Sequence, residues 1–147
     1  CEFWSGNSRL DNVQAAVLLV KMKYIEGWTE ERISNASFYH SGLSDFGDFI
    51  LPIPNKKEKS VFHTYIIQTE KRDELKDFLT SKGIQTAIHY PIPIHLQSIG
   101  LELGYEQGSF PVTERQANTI LSLPIYQGLT EEQLSYVIES IRNFFNS

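Results

Sequence analysis

Cysteine is nearly absent from this sequence. Cys1 is the only one among 147 residues, so no disulfide can form within the chain, and the composition fits a reducing, cytoplasmic setting. Long apolar runs are missing as well, and nothing approaches the roughly 20 residues that a bilayer span requires. Basic clusters are scarce: NKKEK at 55–59 is the only basic run, and it reads as a solvated loop. With a formal charge of −5 and a pI near 5.3, the chain offers no surface that would draw nucleic acid or an anionic membrane. Neither is expected as a partner. There is no Gly-rich phosphate loop, no G-x-S-x-G, no internal repeat and no low-complexity segment. The chain starts with Cys rather than Met, which reads as a piece of a longer polypeptide, so a targeting signal before it stays open.

The residues present are those of one ordinary globular unit, 41% apolar and 21% charged. Leu10, Val13, Val17, Val20 and Tyr24 recur at spacings of three and four, which lays them along one helical face. The pattern continues through Trp28, Ile33 and Tyr39 to about Gly42, with Asn7 or Ser8 as cap and Gly27 as the place for a kink. A helix this long is expected to be an external strut, joining two domains or lying against a partner. Residues 43–60 are turn-rich. VFHTYIIQT (61–69) reads as a strand, EKRDELKDFLTSKG as an amphipathic helix stopped by Gly83, and IQTAIHY (84–90) as a second strand. That order implies a crossover packed on a sheet. FPVTERQANTIL suits a helix with Pro111 in its first turn, and SLPIY (122–126) a short extended segment. Thr130 and Gln133 have capping-box spacing ahead of a stripe of Leu134, Val137, Ile138, Ile141 and Phe144. The expected class is α+β: a small domain with a long helix at its leading edge.

The stretch with the most chemistry is TAIHYPIPIHLQ, residues 86–97. Pro91 and Pro93 push Tyr90 and Ile92 out of the helical region, so the backbone from 89 to 94 is expected to be extended and stiff. A stiff segment after a strand presents His89 and Tyr90 at low entropic cost, and imidazole with phenol can bind hydroxyl or keto groups such as those of a sugar. The competing reading makes Tyr90–Pro91 a turn, cis or trans, with His89 a satisfied edge residue. His89 and His95 lack a helical register or a nearby carboxylate, so a metal site there is disfavoured and none is expected. His40 and His63 read as structural or solvent-facing. The residues alone lead no further than a small α+β domain with a preorganised polar loop.

Three stretches, in two regions of the chain, then carry a resemblance. NSRLDNVQAAVLLVKMKYIEGWTEERISNASFY looks like the segment that follows the large domain in sugar aminotransferases of the DegT/DnrJ/EryC1/StrS family. TEKRDELKDFLTSKGIQTAIHYPIPIHLQ and FPVTERQANTILSLPIYQGLTEEQLSYVIESI resemble that family's C-terminal small domain. The resemblance implies a type I, aspartate-aminotransferase-like fold, pyridoxal 5'-phosphate (PLP) as cofactor and a homodimer. It also implies transfer of an amino group from glutamate or glutamine to a nucleotide-linked keto sugar. On this basis residues 1–45 end the large domain and form the connecting helix, and residues 46–147 form the small domain. Asn7 would reach the cofactor phosphate of the neighbouring subunit, while His89 and Tyr90 would line the sugar site. The PLP-bearing lysine of the family lies before the NSRLD region, so this stretch is expected to hold no catalytic residue and to be inactive alone. Two alternatives share the scaffold or its remains: a sugar dehydratase or regulatory relative, and a stand-alone dimerisation or binding module.

Overall fold

The computed structural model describes residues 9–46, 49–53 and 57–146. Its helices are α1 (Asn12–Lys21), α2 (Ile25–Leu43), α3 (Arg72–Ser81), α4 (Ser98–Glu102), α5 (Pro111–Thr119) and α6 (Glu131–Phe145). Its strands are β1 (Tyr65–Gln68) and β2 (Ile120–Leu123), and a 3-10 turn spans Ile94–Leu96.

The leading helix is two helices. The break falls at residues 22–24, not at Gly27, which lies inside α2. At the junction the Lys23 and Tyr24 N–H groups donate to Val20 and Lys21, three residues back, and this overwound turn ends α1. Tyr24 then stacks on Trp28 as α2 begins. The N-cap of α1 is Asp11, whose N–H donates to Gln14 Oε1 at 3.3 Å. The caps expected at Asn7 and Ser8 lie outside the described residues.

The two strands are antiparallel, with Tyr65 opposite Leu123 and Ile67 opposite Leu121, all four buried. Single bridges extend the sheet on both sides, Ile50 to Gln68 and Ala87 to Ser122. The expected strand 61–69 is therefore only its second half. Arg32 Nη1 takes the carbonyls of Phe62 and His63, and Phe62 has φ 46°, so the first half is held by a side chain instead of a ladder. The expected strand 84–90 shrinks to Ala87, because the chain turns away as it approaches Pro91. The expected crossover survives in reduced form: the chain runs from β1 through α3 to Ala87, which bridges the far edge of β2 parallel to β1. The partner of β1 is β2, which takes Ile120 and Leu121 from the expected helix and overlaps the expected extended segment, stopping before Pro124.

Other expectations hold. Leu75 and Leu79 of α3 are fully buried with Phe78 packed alongside, and Gly83 ends the helix at φ 75°, where a side chain would be strained. Pro111 occupies the first turn of α5. Thr130 accepts from the Gln133 N–H, and Gln133 Oε1 accepts from the Thr130 N–H. Behind that capping box α6 buries Leu134, Val137, Ile138 and Ile141.

One core joins α2, α3, α6 and the sheet, centred on Tyr39, Leu43, Tyr65, Ile67, Leu79, Leu121 and Ile141. The polar side of α2 is as firmly seated as its apolar side. Arg32 Nη1 donates to the Ile125 carbonyl at 2.9 Å, Asn35 Nδ2 to Tyr126 at 2.9 Å, and the Tyr39 hydroxyl to Pro124 at 2.9 Å. Glu31 accepts from the Gly128 N–H. Side chains spaced three and four apart therefore satisfy the backbone that follows β2, which has no strand beside it among the described residues. Among the described residues no helix is long and apolar enough to cross a membrane.

Candidate functional site: a cleft between a proline-rich loop and a short helix

β2 and α5 place the chemistry of residues 86–97. After Ala87 bridges to Ser122, His89 hydrogen-bonds the same serine, with Nδ1 2.9 Å from Ser122 Oγ. Ser122 is buried, so His89 is tethered to the sheet edge while its ring stays exposed. The tether uses Nδ1 and leaves Nε2 for a ligand. Tyr90 is 75% exposed and meets the His89 ring edge-on, centroids 5.9 Å apart. The peptide bond between these two residues is cis, so the cis bond lies one position before the Tyr90–Pro91 turn considered above.

The expected extended stretch over 89–94 is instead bent, at His89, Pro91 and Ile92, and only Pro93 (φ −52°, ψ 140°) precedes the 3-10 turn that begins at Ile94. Gln97 Nε2 donates back to the Ile92 carbonyl at 3.2 Å, bracing the loop on itself. Facing the loop, α5 and the start of β2 supply Thr113, Gln116, Ala117 and Ile120. The cleft between them measures about 450 Å³ and carries His89, Tyr90 and Gln97 on the loop side. It is mostly apolar with a few polar groups converging on it, the makeup of a small-molecule subsite. Thr113 and Gln116 escaped the sequence reading, although their spacing of three on a helix that the sequence does show puts them on one face.

The two histidines of the loop are not brought together as a ligand pair. His95 is 5% exposed, and its Nε2 lies 3.0 Å from Glu114 Oε1. The Glu114 carboxylate also accepts from the N–H groups of Gly108 and Phe110. The hydrogen bond from His95, followed by the one from Gly108, pulls the Glu114 pKa below the ordinary carboxylate value. Among the described residues no group of three or more His, Cys, Asp or Glu is arranged to hold a metal ion. His63 is exposed and His40 half-buried.

The described residues do not make a complete seat for PLP. The cofactor needs an amine that can lose its proton, and the described lysines are at the surface, Lys76 the least exposed of them. Lys59 borders a separate 390 Å³ cleft, but its hydrogen bond to Glu30 raises its pKa, opposite to what such an amine requires. Asn7 lies outside the described residues.

With fold and cleft in view, the class follows. The chain belongs to the DegT/DnrJ/EryC1/StrS aminotransferase family, whose model matches residues 2–142. It is 44% identical over 95% of its length to a pleiotropic regulatory protein of Geobacillus stearothermophilus, and spans 38% of that protein. It is 38% identical over 94% of its length to the dTDP-3-amino-3,4,6-trideoxy-alpha-D-glucose transaminase of Streptomyces venezuelae, and spans 36% of it. The crystal structure of S. venezuelae DesV superposes with a TM-score of 0.91 at 36% identity, covering 99% of this chain and 39% of that one. The α+β architecture is therefore that of these PLP-dependent, type I enzymes, and the chain spans little more than a third of the curated relatives that it matches.

Proposed function

We propose that this chain is the C-terminal, sugar-facing part of a PLP-dependent aminotransferase that moves an amino group from glutamate or glutamine to a nucleotide-linked keto sugar. The observation that carries this is the cleft at residues 89–97, where a tethered His89 and an exposed Tyr90 face the polar groups of α5. The transaminase named above, 38% identical, supports the substrate class. PLP supplies the electron sink for the amino transfer. The residues here bind and orient: His89 Nε2 and the Tyr90 phenol hydrogen-bond hydroxyl or keto oxygens, and the apolar lining excludes water from the sugar.

In this reading residues 1–45 finish the large domain and connect to it, and residues 46–147 are the small domain. The protein works as a homodimer in a reducing, cytoplasmic compartment, and Asn7 reaches the PLP phosphate across the dimer. The PLP-bearing lysine lies outside these 147 residues, which are inactive alone. One comparison tests the assignments together in the complete protein. His89→Ala should weaken use of the sugar by about 1–3 kcal/mol, the scale of one lost polar contact, with PLP affinity unchanged. Asn7→Ala should do the reverse, loosening PLP. If His89→Ala loosens PLP and spares the sugar kinetics, the substrate-wall assignment fails.

A regulatory or dehydratase relative on the same scaffold is the second reading, its regulatory form favoured by the 44% identical pleiotropic regulatory protein of Geobacillus. Turnover of a keto sugar nucleotide with glutamate by the complete protein excludes it. Dehydration of the sugar without amino transfer, or binding without turnover, supports it.

A further inference from the structure

We propose that His95 and Glu114 form a strut that sets the spacing of the two cleft walls, which makes them positioning residues for sugar recognition. This rests on the reading of the cleft as a sugar subsite. His95 belongs to the loop wall and Glu114 to the helix wall, and their hydrogen bond spans the two at 3.0 Å. A carboxylate only accepts, so His95 Nε2 carries the proton of that bond.

Both ends of the strut are fixed. The Glu114 carboxylate takes the Gly108 N–H at 2.9 and 3.0 Å and the Phe110 N–H at 3.2 Å, which anchors it to the start of α5. The His95 ring packs edge-on against Phe110, centroids 4.8 Å apart, and Phe110 in turn packs on Tyr105. Any Cβ at Gly100 would overlap the His95 carbonyl, so α4 presses directly on the backbone that carries the imidazole.

The placement relative to the cleft gives the strut its consequence. His95 follows Pro93 and Ile94, which line the cleft, and Glu114 adjoins Thr113 and sits half a turn before Gln116. Two other hydrogen bonds of the loop run elsewhere, Gln97 to Ile92 within the loop and His89 to Ser122 of β2. The strut joins the loop to α5 alongside the His95–Phe110 ring contact, so it helps set how far Tyr90 and Ile92 stand from Thr113 and Gln116. A polar group misplaced by about 1 Å can cost on the order of a hundredfold in use of a substrate.

The test uses the complete protein and two readouts. His95→Ala and Glu114→Ala should raise KM for the keto sugar nucleotide about tenfold or more, with PLP affinity unchanged and kcat nearly so. Glu114→Gln, which keeps an acceptor for His95 and the two N–H groups, should recover most of the loss. In parallel, spin labels at Ile92→Cys and Val112→Cys, both exposed positions on opposite walls, report the wall-to-wall distance without any substrate. The distribution should be narrow in the parent and broadened or shifted in His95→Ala. A lowered melting temperature with unchanged KM and unchanged label distance overturns the proposal, since the pair would then be only structural. If the complete protein turns over no keto sugar nucleotide, the functional reading falls, and the label distance alone decides whether the strut exists.

Discussion

α1 and α2 are neighbours in sequence and opposites in how they are held. α1 has the more apolar sequence, yet it buries no residue, and Val13, Val17, Leu19 and Val20 are 50–77% exposed. α2 reads IEGWTEERISNASFYHSGL, rich in polar residues, yet it buries Asn35, Ala36, Tyr39 and Leu43. The difference is what each helix finds beside it. α2 lies along residues 124–128, whose carbonyls accept from Arg32, Asn35 and Tyr39. Apolar periodicity says that a face needs covering; it does not say whether the covering lies within the same stretch of chain. A polar face can be an anchor when unpaired backbone runs alongside it.

The comparison breaks most visibly at Tyr39. Its ring is fully buried against Tyr65, 5.2 Å between centroids, and its hydroxyl holds the Pro124 carbonyl. Burial pushes the Tyr39 pKa well above the ordinary phenol value, so the hydroxyl stays protonated and keeps donating across the accessible pH range. Tyr39→Ala removes packing and anchor together and should cost about 3–5 kcal/mol, read as a fall in the urea midpoint. A loss under about 1 kcal/mol would mean that α2 is not held to the core as described.

Arg32 tests the polar anchor alone. Arg32→Met keeps most of the aliphatic stem while deleting the bonds to Phe62, His63 and Ile125. Hydrogen bonds from a charged group are worth about 1.5–3 kcal/mol, and because these are part-buried, with the one to His63 exposed, a loss near the lower end of that range is expected from denaturation curves. An unchanged midpoint would place the hold of α2 in its apolar side after all.

The same contrast marks what the sequence could show. Amphipathic α3 and α6, the Pro111 start of α5 and the Thr130 capping box were legible because each signal is local: a period of 3.6, a fixed φ, a three-residue spacing. The strands were not, because β1 is shortened by Arg32, some thirty residues away, and its partner is β2 rather than the nearer segment 84–90. His89 and Tyr90 stood out because two prolines frame them. Thr113, Gln116, Glu114 and Ser122 did not, since only the fold brings them to the loop. His95 looked like half of a weak metal pair, and its real partner lies nineteen residues on.

The smallest effect belongs to α1, and it is the sharpest check on the contrast. Val17 lies mid-helix and is 50% exposed, with nothing in the described core against it. Valine and serine have nearly equal helix propensities, so Val17→Ser leaves the helix itself about as favourable. In the 147-residue chain the change should therefore stay within about 0.5 kcal/mol, the range of surface substitutions. The same urea series as for Tyr39 and Arg32 provides the scale. A loss above about 1 kcal/mol would show that the apolar side of α1 is covered in the chain, and the two helices would then differ in sequence more than in burial.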